Sequence, residues 1–96
     1  MTISIVGGKE HLKTHYEKAI KDKGHKMRLL LQNSRRLYKN VGNVNGIIIF
    51  TDNVSHNAAW SLTKHAKTVE IPIVRSSTSS IASLKKCINE IENGYS

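Results

Sequence analysis

Gly46-Ile47-Ile48-Ile49-Phe50-Thr51-Asp52-Asn53-Val54-Ser55-His56-Asn57-Ala58-Ala59-Trp60 sets an unbroken apolar run against a polar cluster and then a helical pattern. The run Gly46–Phe50 has no alternation of apolar and polar residues. A strand covered on both faces, as in a parallel sheet, reads this way. Ser55 is a helix-capping residue type, and Ala58, Ala59, Leu62 and Ala66 follow it at helical spacing. In open parallel sheets, ligands bind outside the carboxyl ends of the strands. Thr51, Asp52, Ser55 and His56 are therefore expected at a site.

Outward from this stretch, strand and helix patterns alternate. Ile3-Ser4-Ile5-Val6 ends in Gly7-Gly8, and Leu12, Tyr16, Ala19 and Ile20 then mark the buried face of a first helix, stopped at Gly24. Lys26–Gln32 reads as a second strand, and Asn33 or Ser34 as the cap of a short helix carrying Leu37, Tyr38 and Val41. Gly42-Asn43 breaks the chain before the third strand. A helix over about 55–68 leads to a fourth strand, Glu70–Val74, in which Pro72 suggests an edge position or a strand beginning near it. Ile81, Leu84, Ile88 and Ile91 give the last helix, ending at Asn93-Gly94.

Four strands alternating with helices predict a small three-layer α/β sandwich with a four-stranded parallel sheet, in the expected order 2-1-3-4. This order sets the switch point between strands one and three. Gly7-Gly8, Thr51-Asp52 and the loop Arg75-Ser76-Ser77-Thr78-Ser79-Ser80 should converge on one end of the sheet.

At 96 residues the chain fits one domain spanning 1–96. Its net charge of +8 points to an anionic partner. The excess lies in residues 1–40, which hold ten Lys or Arg against Glu10, Glu17 and Asp22. The single cysteine, Cys87, rules out an internal disulfide framework and suits a reducing compartment. No stretch reaches the length of a membrane span, and Ile3–Val6 is too short for a signal peptide, so a cytoplasmic protein with no membrane partner is expected.

The Val6-Gly7-Gly8 turn, the segment Thr51–Ala58 and Arg75-Ser76-Ser77 leading into the final helix resemble the bacterial and phage domain of unknown function 2325, across nearly the whole chain. That resemblance implies a small Rossmann-like fold with a shared polar site, found at the end of longer proteins and sometimes alone. It also makes a bacterial or phage origin the expectation. It implies no settled activity.

Ser and Thr hydroxyls, one Arg and the amides of a helix N-terminus in 75–80 can hold an anion, with phosphate foremost; the plain alternative is a Ser-rich connection with one capping hydroxyl. Gly7-Gly8 permits close backbone approach but is too short for a dinucleotide or Walker fingerprint. No second acid accompanies Asp52 at the end of strand one, which disfavours a receiver domain or a two-metal nuclease. Asp52 can instead contact a ligand, or pair with Arg75 and organise the loops. His56, in the first helical turn, favours a neutral imidazole that can bind a ligand or the neighbouring loop. His11 and His15 have a metal-compatible spacing but no third ligand, and read as solvated. Trp60 and Cys87 read as packing residues.

These readings leave two principal functions. One is a non-enzymatic module that binds a nucleotide or other phosphate-bearing ligand through Gly7, Gly8, Thr51, Asp52, Ser55, His56, Arg75, Ser76 and Ser77, without a cofactor or metal. The other is sequence-independent nucleic-acid binding by the basic face of residues 9–39, with Lys9, Lys13, Arg35, Arg36 and Lys39 on phosphates and a homodimer extending the surface. A hydrolase built on Asp52 and His56 is the third reading, weakened by the missing second acid and nucleophile.

Overall fold

The four strands lie parallel in the order β2-β1-β3-β4. They are β1 (Thr2–Val6), β2 (Lys26–Leu30), β3 (Gly46–Phe50) and β4 (Ile73–Ser76). The computed structural model describes residues 1–30 and 44–94. The short helix expected around Leu37 and Tyr38, and the residues Arg35, Arg36 and Lys39, lie outside this range. The helices are α1 (Lys13–Asp22), entered through a 3-10 turn at Glu10–Leu12, α2 (His56–Thr68) and α3 (Ile81–Glu92).

Side-chain alternation along the strands divides the core. Ile3, Ile5, Ile48, Phe50 and Val74 face α1 and α3, where they meet Tyr16, Ala19, Ile20, Leu84, Cys87, Ile88 and Ile91. Val6, Ile47 and Ile49 face the other way onto Ala59, Leu62 and Ala66 of α2. All five residues of β3 are buried, which is why its sequence shows no polar alternation. Gly46 admits α3 closely: a Cβ there would stand 2.9 Å from two carbons of Ile91.

The fourth strand begins later than its apolar run suggested. Expected over Glu70–Val74, it runs Ile73–Ser76 because α2 closes with a two-bond cap that occupies residues 70 and 71. Ile71 N–H donates to Ala66 O at 2.9 Å and Glu70 N–H to Lys67 O at 3.4 Å, with Glu70 at φ 58°. This is the Schellman arrangement, with a glutamate where glycine is usual. Pro72 follows, outside the strand, and its carbonyl accepts from Ile47 N–H at 2.9 Å. The strand therefore ends at Ser76, which carries Arg75 to the carboxyl rim of the sheet.

No helix among the described residues is long and apolar enough to cross a membrane.

Candidate functional site

The loops after β1, β3 and β4 meet at the carboxyl ends of the strands, and a buried tyrosine ties two of them together. The Tyr16 hydroxyl accepts from Lys9 N–H at 3.1 Å and donates to Ser79 O at 2.7 Å. Its ring packs against Phe50 at a centroid distance of 5.5 Å. Gly7 and Gly8 fit under this assembly at φ 85° and 94°. A Cβ on Gly7 would stand 2.5 Å from Val54 Cγ2, and one on Gly8 3.0 Å from Tyr16 Cε2. The close approach these glycines allow is therefore taken up by the protein's own side chains at the switch point between β1 and β3.

Asp52 belongs to the same assembly. Ser79 is buried, with its Oγ 2.6 Å from Asp52 Oδ1 and 2.5 Å from Asn53 Oδ1. One hydroxyl proton cannot serve both acceptors well. With the Asn53 amide turned over, its NH2 donates to Ser79 Oγ while Ser79 donates to Asp52, and all three groups are satisfied. Asp52 thus takes the loop-organising role, but through Ser79. Among the described residues it forms no ion pair with Arg75.

Arg75 is exposed near the end of edge strand β4, and no acid pairs with it among the described residues. It borders three recesses among the described residues. On the α2 side, about 160 Å³ lies among Thr51, Val54, His56, Ala59, Trp60 and Arg75. On the α3 side, about 280 Å³ lies among Arg75, Ser76, Ser77, Thr78, Ser83, Lys86, Cys87 and Glu90. A larger recess of about 630 Å³ runs along the unpaired edge of β4, walled in part by Ala66, Ile71, Pro72 and Ile73. The α3-side cleft gathers most of the hydroxyl groups near the Arg75 cation, from Ser76, Ser77, Thr78 and Ser83, while the α2-side cleft adds Thr51.

Several polar groups around Arg75 already have partners. Thr51 donates to Ser76 O through both its N–H at 2.8 Å and its hydroxyl at 3.1 Å, tying the β3 loop to β4. Ser76 Oγ donates to Thr78 O at 2.9 Å. Ser55 caps α2, accepting from Ala58 N–H at 3.2 Å, and Ser80 caps α3, accepting from Ser83 N–H at 3.2 Å. The Thr78 and Ser83 hydroxyls share a short hydrogen bond. Ser77 is exposed and its hydroxyl makes no hydrogen bond among the described residues.

Apart from Ser55, which caps α2, the expected ligand-binding residues fall into two groups. Thr51, His56, Arg75, Ser76 and Ser77 line the clefts around Arg75, while Gly7, Gly8 and Asp52 belong to the assembly centred on Tyr16 and Ser79. Lys9 and Lys13 are exposed, as are His11 and His15. Among the described residues no group of three or more His, Cys, Asp or Glu could hold a metal ion.

One expectation fails outright. Trp60 is 61% exposed rather than packed, with Lys64 Nζ 5.8 Å from its ring centroid. At about 100° per residue it lies at least one such step from Ala58, Ala59, Leu62 and Ala66, so its departure from the buried stripe could have been read from the sequence. Cys87, in contrast, is buried in α3, and its thiol is pushed up to about 11, first by burial and then by Glu90, against an opposing effect of Lys86. The sequence reading also missed Tyr16 as a hydrogen-bonding centre, Ser79 as its partner, and Lys86, which lines the α3-side cleft with Arg75. The apolar stripe marked Tyr16 as buried, but the destination of its hydroxyl depends on a contact 63 residues away.

The model of a family described as an uncharacterized protein conserved in bacteria, DUF2325, matches residues 2–91. Comparison with curated proteins finds none that matches. Among solved structures, the chain is similar to the lactose-specific IIB component domain of the phosphoenolpyruvate:carbohydrate phosphotransferase system from Streptococcus pneumoniae. The two share a TM-score of 0.64 at 12% sequence identity, over 100% of this chain and 98% of that one. This likeness is one of fold, a small Rossmann-like sheet with helices on both faces.

Proposed function

The chain belongs to the DUF2325 family, and from that premise we propose that it is a binding module that holds a phosphate-bearing ligand at the carboxyl ends of β3 and β4. The observation that carries this reading is Arg75. It is a cation at the rim of the sheet, without an acid partner among the described residues, bordering a hydroxyl-rich cleft on the α3 side and a smaller one with Thr51 and His56 on the α2 side. A guanidinium offers a planar fork of donors to a phosphate, and the Ser77 hydroxyl and Lys86 ammonium line the same α3-side cleft and can add to it. Glu90 lines this cleft as well, and its carboxylate disfavours an anion close to it.

The module works without catalysis. Asp52 is engaged by Ser79 and makes no hydrogen bond to His56 among the described residues, so the acid and base of a hydrolase are not assembled. Cys87 is buried with a raised pKa and is a poor nucleophile.

Calorimetric titration with ribose 5-phosphate tests the proposal. Saturable binding that Arg75→Ala weakens by roughly 1.5–3 kcal/mol, the worth of a hydrogen bond to a charged group, supports it. Equal binding by the variant, or none by the parent chain, refutes it.

A second reading rests on the exposed Lys9 and Lys13, which begin a basic face running along α1. With Arg35, Arg36 and Lys39 it would hold nucleic acid through phosphates alone, in a homodimer that joins two such faces. Affinity for duplex DNA that does not fall as salt rises would remove this reading.

A further inference from the structure

Trp60 has the largest apolar side chain that the described surface leaves to solvent. Singly exposed apolar residues are ordinary, but this one forms a wall of a cleft that also contains Arg75, which has no acid partner among the described residues. His56 stands one helical turn before Trp60 on α2, on the same face, and lines the same cleft.

We propose that this cleft is a base subsite: the planar ring of a nucleotide stacks on Trp60 while its phosphate is held at Arg75. The inference rests on the phosphate-binding reading and names the ligand class for that site. Size supports it, because about 160 Å³ equals about five waters at about 30 Å³ each, room for a ring but not for a whole nucleotide. The sugar and phosphate must then lie outside the cleft, and Arg75, which borders the α3-side cleft as well, is placed to receive them. Lys64 lies over the indole ring, and a planar ring has a second face for the base. His56 can donate or accept at the edge of the base through its ring nitrogens. The Thr51 hydroxyl proton is committed to Ser76 O, which leaves its oxygen as an acceptor. The subsite thus offers stacking together with a few polar groups at the edge of the base.

Trp60 is the chain's single tryptophan, so intrinsic fluorescence reports on this cleft directly. The experiment titrates the protein with AMP, GMP, CMP and UMP while following that fluorescence, and compares affinities with ribose 5-phosphate by calorimetry. The expected result is a saturable fluorescence change with at least one nucleotide, bound more tightly than ribose 5-phosphate. Trp60→Ala should weaken that nucleotide by ~5- to 150-fold, the worth of one base–aromatic stack, and leave ribose 5-phosphate unchanged. Arg75→Ala should weaken both. Nucleotides that bind no more tightly than ribose 5-phosphate, or an unaffected Trp60→Ala variant, would overturn the base subsite while the phosphate site stands. Failure of every one of these ligands to bind would overturn both.

Discussion

The Tyr16 hydroxyl donates to the Ser79 carbonyl at 2.7 Å, across 63 positions of sequence and with both residues buried. Because the same oxygen accepts from Lys9 N–H, one phenol fixes the loop after β1 to the loop before α3. Ser79 in turn holds Asp52. The loop that begins beside Arg75 is thereby anchored from behind, which limits the ordering it must undergo when a ligand arrives.

Tyr16→Phe keeps the ring on Phe50 and removes only the hydroxyl, leaving Lys9 N–H and Ser79 O without their partner. The expected cost is roughly 1–3 kcal/mol, that of a buried polar group left unsatisfied. Urea unfolding should show a lower midpoint at an unchanged slope. An unchanged midpoint would mean that the phenol does not hold the loops.

Gly7 and Gly24 separate backbone strain from crowding. Both have positive φ, 85° and 80°, but a Cβ on Gly7 meets Val54 at 2.5 Å while one on Gly24 meets nothing within 4 Å. Alanine at either position carries the left-handed penalty of about 1–2 kcal/mol. Gly7→Ala must also displace Val54, so its melting temperature should fall well below that of Gly24→Ala. Equal losses would show that the switch point has room to spare.

Much of the architecture was legible from particular residues. The unbroken Gly46–Phe50 run identified a central strand, and Ser55 marked the cap of the next helix, because burial on two faces and capping leave local signatures. The boundary of β4 was legible only in part, through Pro72, which allowed a strand beginning near it. Its apolar run begins at Ile71, but the cap of α2 claims that residue, and the positive φ falls on Glu70, which carries no glycine signal. Loop chemistry singled out Arg75, Ser76 and Ser77, which line the α3-side cleft. The engagement of Asp52 by Ser79 could not be read, since two hydroxyl-rich and carboxylate-bearing loops permit several pairings and only the packing of the three loops selects one.

Cys87 gives a pH dependence with a definite sign. Its pKa rises from 9.0 to about 11 on folding, so between these values the folded chain holds a proton that the unfolded chain releases. The contribution is fully present below pH 9 and is lost as pH rises toward 11. Stability in urea should therefore fall more between pH 8 and pH 10.5 for the parent chain than for Cys87→Ala. Identical falls would place the thiol in a less buried setting than it occupies here. The same shift leaves about a hundredfold less thiolate near neutral pH, so a thiol reagent should label the folded protein slowly and the urea-unfolded protein rapidly.

Trp60→Ala should leave the fold intact. With 61% of the residue in solvent and its closest charge contact the exposed Lys64, the expected stability change is within about 0.5 kcal/mol by thermal unfolding. A larger loss would make Trp60 a packing residue after all and remove the main support for the base subsite.

The most direct test of the phosphate-binding account compares the parent chain with Arg75→Ala by calorimetric titration with ribose 5-phosphate, after thermal unfolding has shown equal stability. The account requires saturable binding by the parent chain and an affinity lower by about 10- to 150-fold in the variant, the equivalent of losing one hydrogen bond to a charged group. The same affinity in both chains, or no heat of binding in the parent, would contradict it.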